Sequence, residues 1–388
     1  MLPVTKVIDR EDFDDPELLP FLLEVAQDEA IKFGLSEPRI VPDSKQWECA
    51  MMLRAFDREG VLRPGALFAG VGAGVEQTTF SLAARGCVVF PTDRYLESTP
   101  WSDVAPPGMM LRPEQYSNVK FSRGNVLPVH TDARSLRLPS GFFDGVYSAG
   151  SIEHFGSSQA VSAAAEEIGR ILKPGGVAAI STEFRIDGPN GVDWFDDNCI
   201  LFTPEMINRW IVEPSGLELV GSIAPGPSKA TNDGRVVLVE FLRKSANVTS
   251  LADKQNAYPN LVIYHDGFLF CSVHLTLRKP DAPQGRVRLH SAAFVATADE
   301  DARRSTVLLM HALASNANQV AAPASATWTS VSDHWAEAEL ARVMNSRTMR
   351  WTAPVRRLVA FVRGNPALAG PLRSALALYR ALGKRHRQ

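Results

Sequence analysis

Cysteine is scarce: the 388-residue chain has four, Cys49, Cys87, Cys199 and Cys271, and no CxxC pair. That spacing excludes a zinc knuckle, an iron–sulfur site and a disulfide scaffold, and points to reduced thiols in a cytoplasmic chain. No uncharged apolar run reaches about 18 residues, so no membrane span is expected. The opening stretch, MLPVTKVIDREDFDDPELLP, is charged where a signal peptide would be apolar. Internal repeats are absent. Acidic residues are absent after Glu339: residues 301–388 hold 13 basic and 4 acidic residues, net +9, against 28 basic and 39 acidic, net −11, in residues 1–300. The basic tail is expected to meet an anionic partner such as a membrane surface, which would place the protein peripherally at the inner membrane. The acidic remainder would repel phosphates, so no nucleic-acid partner is expected.

Apolar residues make up 45% of the chain and charged ones 22%, ordinary values for a folded globular protein. Its length exceeds the usual span of one core, which implies a large domain with an appendage, or two domains. Leu18, Leu19, Leu22, Leu23, Ala26, Ala30 and Phe33 recur at helical spacing, and Gly34 would end that helix. A second helix is expected over 44–58 with Ser44 as its cap. Strands near 66–70, 87–91, 143–148 and 177–182 then alternate with helices near 74–85 and 158–172, the pattern of an α/β fold with helices on both faces of a parallel sheet. Residues 235–242 and 268–278 look like an antiparallel pair added at the edge, and His265-Asp266-Gly267 like a hairpin turn. The expected organisation is an N-terminal helical segment (1–44), a principal domain (45–279), a linker (280–339) and a basic amphipathic helical tail (340–388).

The most informative motif is ALFAGVGAGVE at residues 66–76, a strand running through Gly70, Gly72 and Gly74 into a helix that opens near Glu76. Glycines there let backbone approach a nucleoside, and amides at a helix start can point at an anion. On its own the turn is equally compatible with a tight strand-to-helix connection. Asp93 follows Gly74 by 19 residues at the end of the next strand, placed to accept ribose hydroxyls or to cap a helix. Asp132 and Ala133 follow the third strand position, where the carboxylate is suited to an adenine amino group or is a solvated loop residue. Ser148 ends the next strand, and Lys173-Pro174-Gly175-Gly176 turns a helix into the one after.

The succession GVGAG, TD, TDA, FFDGVYSAGSIEHF and ILKPGGVAAISTEF resembles the class I S-adenosylmethionine-dependent methyltransferases over roughly residues 45–279. Its variants are similar to those of bacterial methyltransferases of surface-glycan biosynthesis. The resemblance implies a Rossmann-like sheet of seven mostly parallel strands, S-adenosylmethionine as cofactor, and a glycan or nucleotide-sugar acceptor. It places Gly70, Gly72 and Gly74 along the methionine part, Asp93 at the ribose, and Asp132 with Ala133 at the adenine edge, with Glu76 and Ser148 beside them. Phe68 stands where most members carry an acidic residue, which leaves Glu76 to compensate in part. Residues 345–356, NSRTMRWTAPVR, look like an ending frequent in enzymes of polysaccharide clusters, so a glycan-assembly complex is a second candidate partner of the tail.

Transfer to a hydroxyl benefits from a general base. His154, just beyond the fourth strand, is the first candidate, with packing against the following helix as its alternative. Glu153 would orient it, and Glu183 would face the acceptor. Asp193, Trp194, Asp196 and Asp197 suit a sugar or an ordinary surface loop. Carboxylates of this kind can hold a divalent metal, but no ligand spacing specifies one. Two other readings share the cofactor motifs: a small-molecule methyltransferase of secondary metabolism and an inactive scaffold of the same fold.

Overall fold

A computed structural model describes residues 2–99, 101–187, 194–196, 199–223, 226–246, 248–265 and 267–281. The two N-terminal helices form where the periodicity places them, α1 at Leu19–Lys32 and α2 at Ser44–Arg58. Ser44 is the first helical residue, and the cap is Asp43, whose carboxylate accepts from the Lys45 amide. Helix α2 is buried along almost its whole length, including Trp47, Met51, Met52 and Phe56, so it is a core element.

Among the described residues twelve strands follow one another: β1 (Lys6–Val7), β2 (Leu67–Val71), β3 (Val88–Asp93), β4 (Val129–His130), β5 (Phe143–Ala149), β6 (Leu172–Arg185), β7 (Trp194–Asp196), β8 (Cys199–Ile200), β9 (Glu218–Leu219), β10 (Val236–Val237), β11 (Val262–His265) and β12 (Phe268–Arg278). Ten of them make one sheet in the order β10-β11-β12-β6-β5-β2-β3-β4, with β1 and β9 also paired to β12. The run β6-β5-β2-β3-β4 is parallel throughout, and β12 joins it antiparallel to β6. Seven strands are expected and the sheet has ten, among them the two-residue strands β1, β9 and β10. Strand β1 ties the segment before residue 44 into the sheet through Lys6 opposite His274.

Helix α3 (Gln77–Ala84) links β2 to β3, and α4 (Ser158–Ile171) links β5 to β6. The chain leaves β2 for β3 on one side and returns to β5 on the other. Strand order reverses there, which opens a crevice at the carboxyl ends of β2 and β5. Phe68, Val146, Tyr147 and Ile180 are buried along these strands, where the sequence reads as nearly continuous apolar runs.

One edge differs from the expectation. Residues 235–242 do not pair with 268–278; the antiparallel partner is β11, through four pairs ending at His265 opposite Phe268, which makes the expected hairpin. Only Val236 and Val237 extend, parallel to β11, and Leu238–Ser245 is helical. Its β-branched composition gives way to helical spacing, because Leu238 and Phe241, three apart, face the same cavity. Asp193 and Asp197 lie outside the described residues, and Trp194 and Asp196 fall on β7, paired with β8. The chain divides into two units, 1–320 and 321–388; the second unit and almost all of the expected linker lie outside the described residues. Among the described residues no helix is long and apolar enough to cross a membrane, and all four cysteines are buried thiols.

Candidate active site

The glycine turn after β2 is held together from within. Gly72 and Gly74 take positive φ values, +63° and +45°, a conformation that side chains resist. The space beside each glycine is filled by the chain itself. A Cβ on Gly70 would collide with Tyr147, one on Gly72 with Ser151, and one on Gly74 with the Val104 carbonyl. Several turn amides are likewise spent internally: Ala73 donates to the Thr92 carbonyl at 3.0 Å, Gly74 to Asp93 Oδ2 at 2.9 Å and Glu76 to the Ala73 carbonyl at 3.0 Å. The expectation that these amides stand open to an anion is therefore corrected at those three positions.

Asp93 ends β3 and also accepts from the Arg94 amide at 2.7 Å. Burial raises its carboxyl above the usual range, against the two amides that favour the charge. Its role in the structure is to lock the turn to the next strand. Glu76, immediately before α3, makes no cap hydrogen bond, and its Oε2 is buried without a partner. Burial raises its carboxyl well above the ordinary value; Lys45 opposes the shift, and Glu48, Glu153 and Asp93 add to it. Ser148 is fully buried at the end of β5, and its Oγ also has no partner. Asp132 lies farther out, where Arg134 binds it through the backbone amide, Nε and Nη2. The Arg134 side chain lowers its carboxyl to about 2. Ala133 is half-buried against the core. Phe68 does not enter the crevice: it is fully buried, with its ring 4.9 Å from that of Phe56.

The ends of β5 and β6 carry the other group of residues. Glu153 is buried and accepts from Thr182 Oγ1 at 2.9 Å. His154 Nε2 is 3.9 Å from Glu153 Oε1, and its ring lies 4.2 Å from that of Trp101. Glu183 is half-buried, and burial, with help from Glu153 and Glu48, pushes its carboxyl up to about 8. His154 and Glu183 line one cavity of about 540 Å³, together with Lys45 from α2 and several aromatic rings. Lys45 Nζ donates to Glu48 Oε2 at 2.7 Å and to the Ala149 carbonyl at 3.4 Å, beside Gly150, so this ammonium stands between the end of β5 and the cavity.

The structure thus brings Gly70, Gly72, Gly74, Glu76 and Asp93 together, and gathers Glu153, His154 and Glu183 at the neighbouring strand ends. Lys45, Trp101 and Phe241 were missed by sequence reasoning. Only Lys45 carried a local signal, its position three residues before Glu48 at a helix start.

Residues 69–180 match the family described as a methyltransferase domain. That segment spans β2 to β6, the strands whose ends form the crevice, and S-adenosylmethionine is the cofactor of such a domain. No curated protein matches the chain. Among solved structures, the [4+2]-cyclase SpnF is 19% identical, covering 72% of this chain and all of its own, with a TM-score of 0.39. Geranyl diphosphate methyltransferase with geranyl diphosphate and sinefungin is 13% identical, covering 71% and 87%, at 0.39. The YcgJ protein from Bacillus subtilis is 14% identical, covering 61% and 99%, also at 0.39.

The crevice fits S-adenosylmethionine. S-adenosylmethionine carries an ammonium and a sulfonium, and the buried Glu76 oxygen that lacks a donor is the acceptor an ammonium requires. Glu48, Glu153 and Asp93 push the Glu76 carboxyl up by their like charge, a repulsion that a cationic guest would relieve. Among the described residues no group of three or more His, Cys, Asp or Glu is placed to hold a metal ion.

Proposed function

We propose that this chain is an S-adenosylmethionine-dependent methyltransferase that transfers the methyl group to a hydroxyl. One observation carries the reading: the cavity that begins at the crevice is lined by both a histidine and a carboxyl whose pKa is raised to about 8. The carboxyl exchanges its proton close to neutral pH, as removal of a hydroxyl proton requires. Glu76 and Asp93 hold the donor side, Glu183 takes the acceptor proton, and His154, its ring tilted 35° against Trp101, positions the acceptor. The cofactor, when bound, supplies a methyl group on positively charged sulfur. Alignment of the two reactants is the larger part of catalysis, worth about 7–11 kcal/mol in well-oriented cases.

The acceptor reading with most support is a small molecule, because Leu238, Phe241, Ile263 and Phe270 give the cavity an apolar wall. A sugar hydroxyl of surface-glycan biosynthesis is the second reading. Trp101, 42% exposed at the cavity, supports it, since an open indole face suits a sugar ring.

Calorimetric titration of the full chain with S-adenosylmethionine tests the enzymatic reading. Saturable binding is expected, and binding should weaken in Glu76→Gln. No heat of binding at millimolar cofactor would leave the inactive scaffold as the better description.

A further inference from the structure

The cavity that holds Glu183 and His154 is divided by chemistry. One wall is built by Leu238 and Phe241 of the helix Leu238–Ser245, by Tyr258, and by Ile263 and Phe270 of β11 and β12. The Phe241 and Tyr258 rings stand 5.3 Å apart at 84°, an edge-to-face corner that can receive a third ring. The opposite wall is polar, but much of it is committed elsewhere. Asp43 accepts from the Lys45 amide and pairs with Lys254 at 2.9 Å. Asn260 and Ser44 bind each other twice, through the Ser44 amide and hydroxyl, and the Ser245 hydroxyl donates to Leu242 within its own helix. The ionisable groups gathered at the crevice end are Lys45, His154 and Glu183.

This division discriminates between acceptors. A molecule with many hydroxyls would bury several against the apolar wall, where each one without a partner costs binding. A flat ring with one hydroxyl leaves none stranded. The Lys45 ammonium favours an oxygen that gains negative charge, and phenolic oxygens ionise near pH 10, far more readily than aliphatic alcohols. We propose that the acceptor is a phenol-class molecule, its ring in the corner between Phe241 and Tyr258 and its hydroxyl directed at Lys45 and Glu183. The proposal rests on the methyltransferase reading and narrows its acceptor. In the reaction the phenolic oxygen forms the new bond to the methyl carbon as the carbon–sulfur bond breaks. The electron pair of that bond stays on sulfur, which leaves as a neutral thioether, and the phenolic proton passes to the Glu183 carboxylate.

The test uses 4-nitrophenol, whose ionised form absorbs in the visible, with the full chain saturated in S-adenosylmethionine. Wild type should bind it and lower its apparent pKa, raising the acid constant about tenfold beside the Lys45 cation. Lys45→Met should abolish that spectral shift. Phe241→Ala, in a helix with no buried residue, should weaken binding about tenfold while retaining the shift. Val239→Ala, on the same helix but 67% exposed, should change neither. Cofactor binding without nitrophenol binding would overturn the proposal and spare the methyltransferase reading, as would a shift indifferent to Lys45, or binding of methyl glucoside in its place. Failure of cofactor binding would remove both.

Discussion

The donor and acceptor sides of the crevice are built in opposite ways. The donor side is contiguous: Gly70 to Glu76 form one turn, and Asp93, one strand later, locks it at 2.9 Å through the Gly74 amide. The acceptor side is assembled from far along the chain, with Lys45 from α2, Trp101 from the segment after β3, Glu183 from β6 and Phe241 from a helix near the sheet edge. A part that recognises an unchanging ligand can be a short cassette. A part that recognises a particular acceptor draws on whatever elements the fold brings to the same place.

The largest expected effect falls on the acceptor side. Glu183→Gln should lower kcat by about 10²–10⁴-fold with little change in cofactor affinity, as measured by steady-state kinetics on any acceptor that is turned over. The ionised carboxylate accepts the proton, so the wild-type rate should rise with pH through about 8 and the variant should lose that limb. An unchanged pH profile would assign the proton to another group.

On the donor side the larger effect is on stability. Gly72→Ala forces a side chain into φ +63° and against Ser151, and should cost about 1–3 kcal/mol in denaturant unfolding. Adding Ser151→Gly should recover the collision part and leave the backbone part. If the single variant unfolds like wild type, the turn is looser than its geometry implies.

The smallest effect separates two aspartates that the sequence treats alike. Asp93→Asn weakens the link between the turn and β3, and should reduce cofactor affinity by about 1–2 kcal/mol in calorimetry. Asp132→Asn replaces a carboxylate already held by Arg134 in a largely exposed turn, and should change affinity by no more than about 0.5 kcal/mol. Equal losses would mean that Arg134 releases Asp132 when cofactor binds.

Much of the donor side is visible in sequence because each piece is local: β2, its glycines and Asp93 lie in one βαβ unit, and hydrophobic runs mark the strands. The reason for those glycines is not local. They make room for Tyr147, Ser151 and Val104, residues of other segments that approach only after folding. Residues 235–242 show the same limit. Their valines suit a strand, yet Leu238 and Phe241 gain contact with the cavity only when the segment coils. Glu183 was visible as a carboxylate after a strand, but its raised pKa comes first from burial and then from Glu153 and Glu48, all of which arise only when separate elements pack together.

One stretch belongs to both sides. Val104 abuts Gly74, and Trp101, three residues earlier, covers the His154 ring. Chain of that length spans at most about 10 Å, too short for its ends to move independently. The glycine turn and the His154 ring thus lean on one short splint, and a displacement at either end is carried to the other.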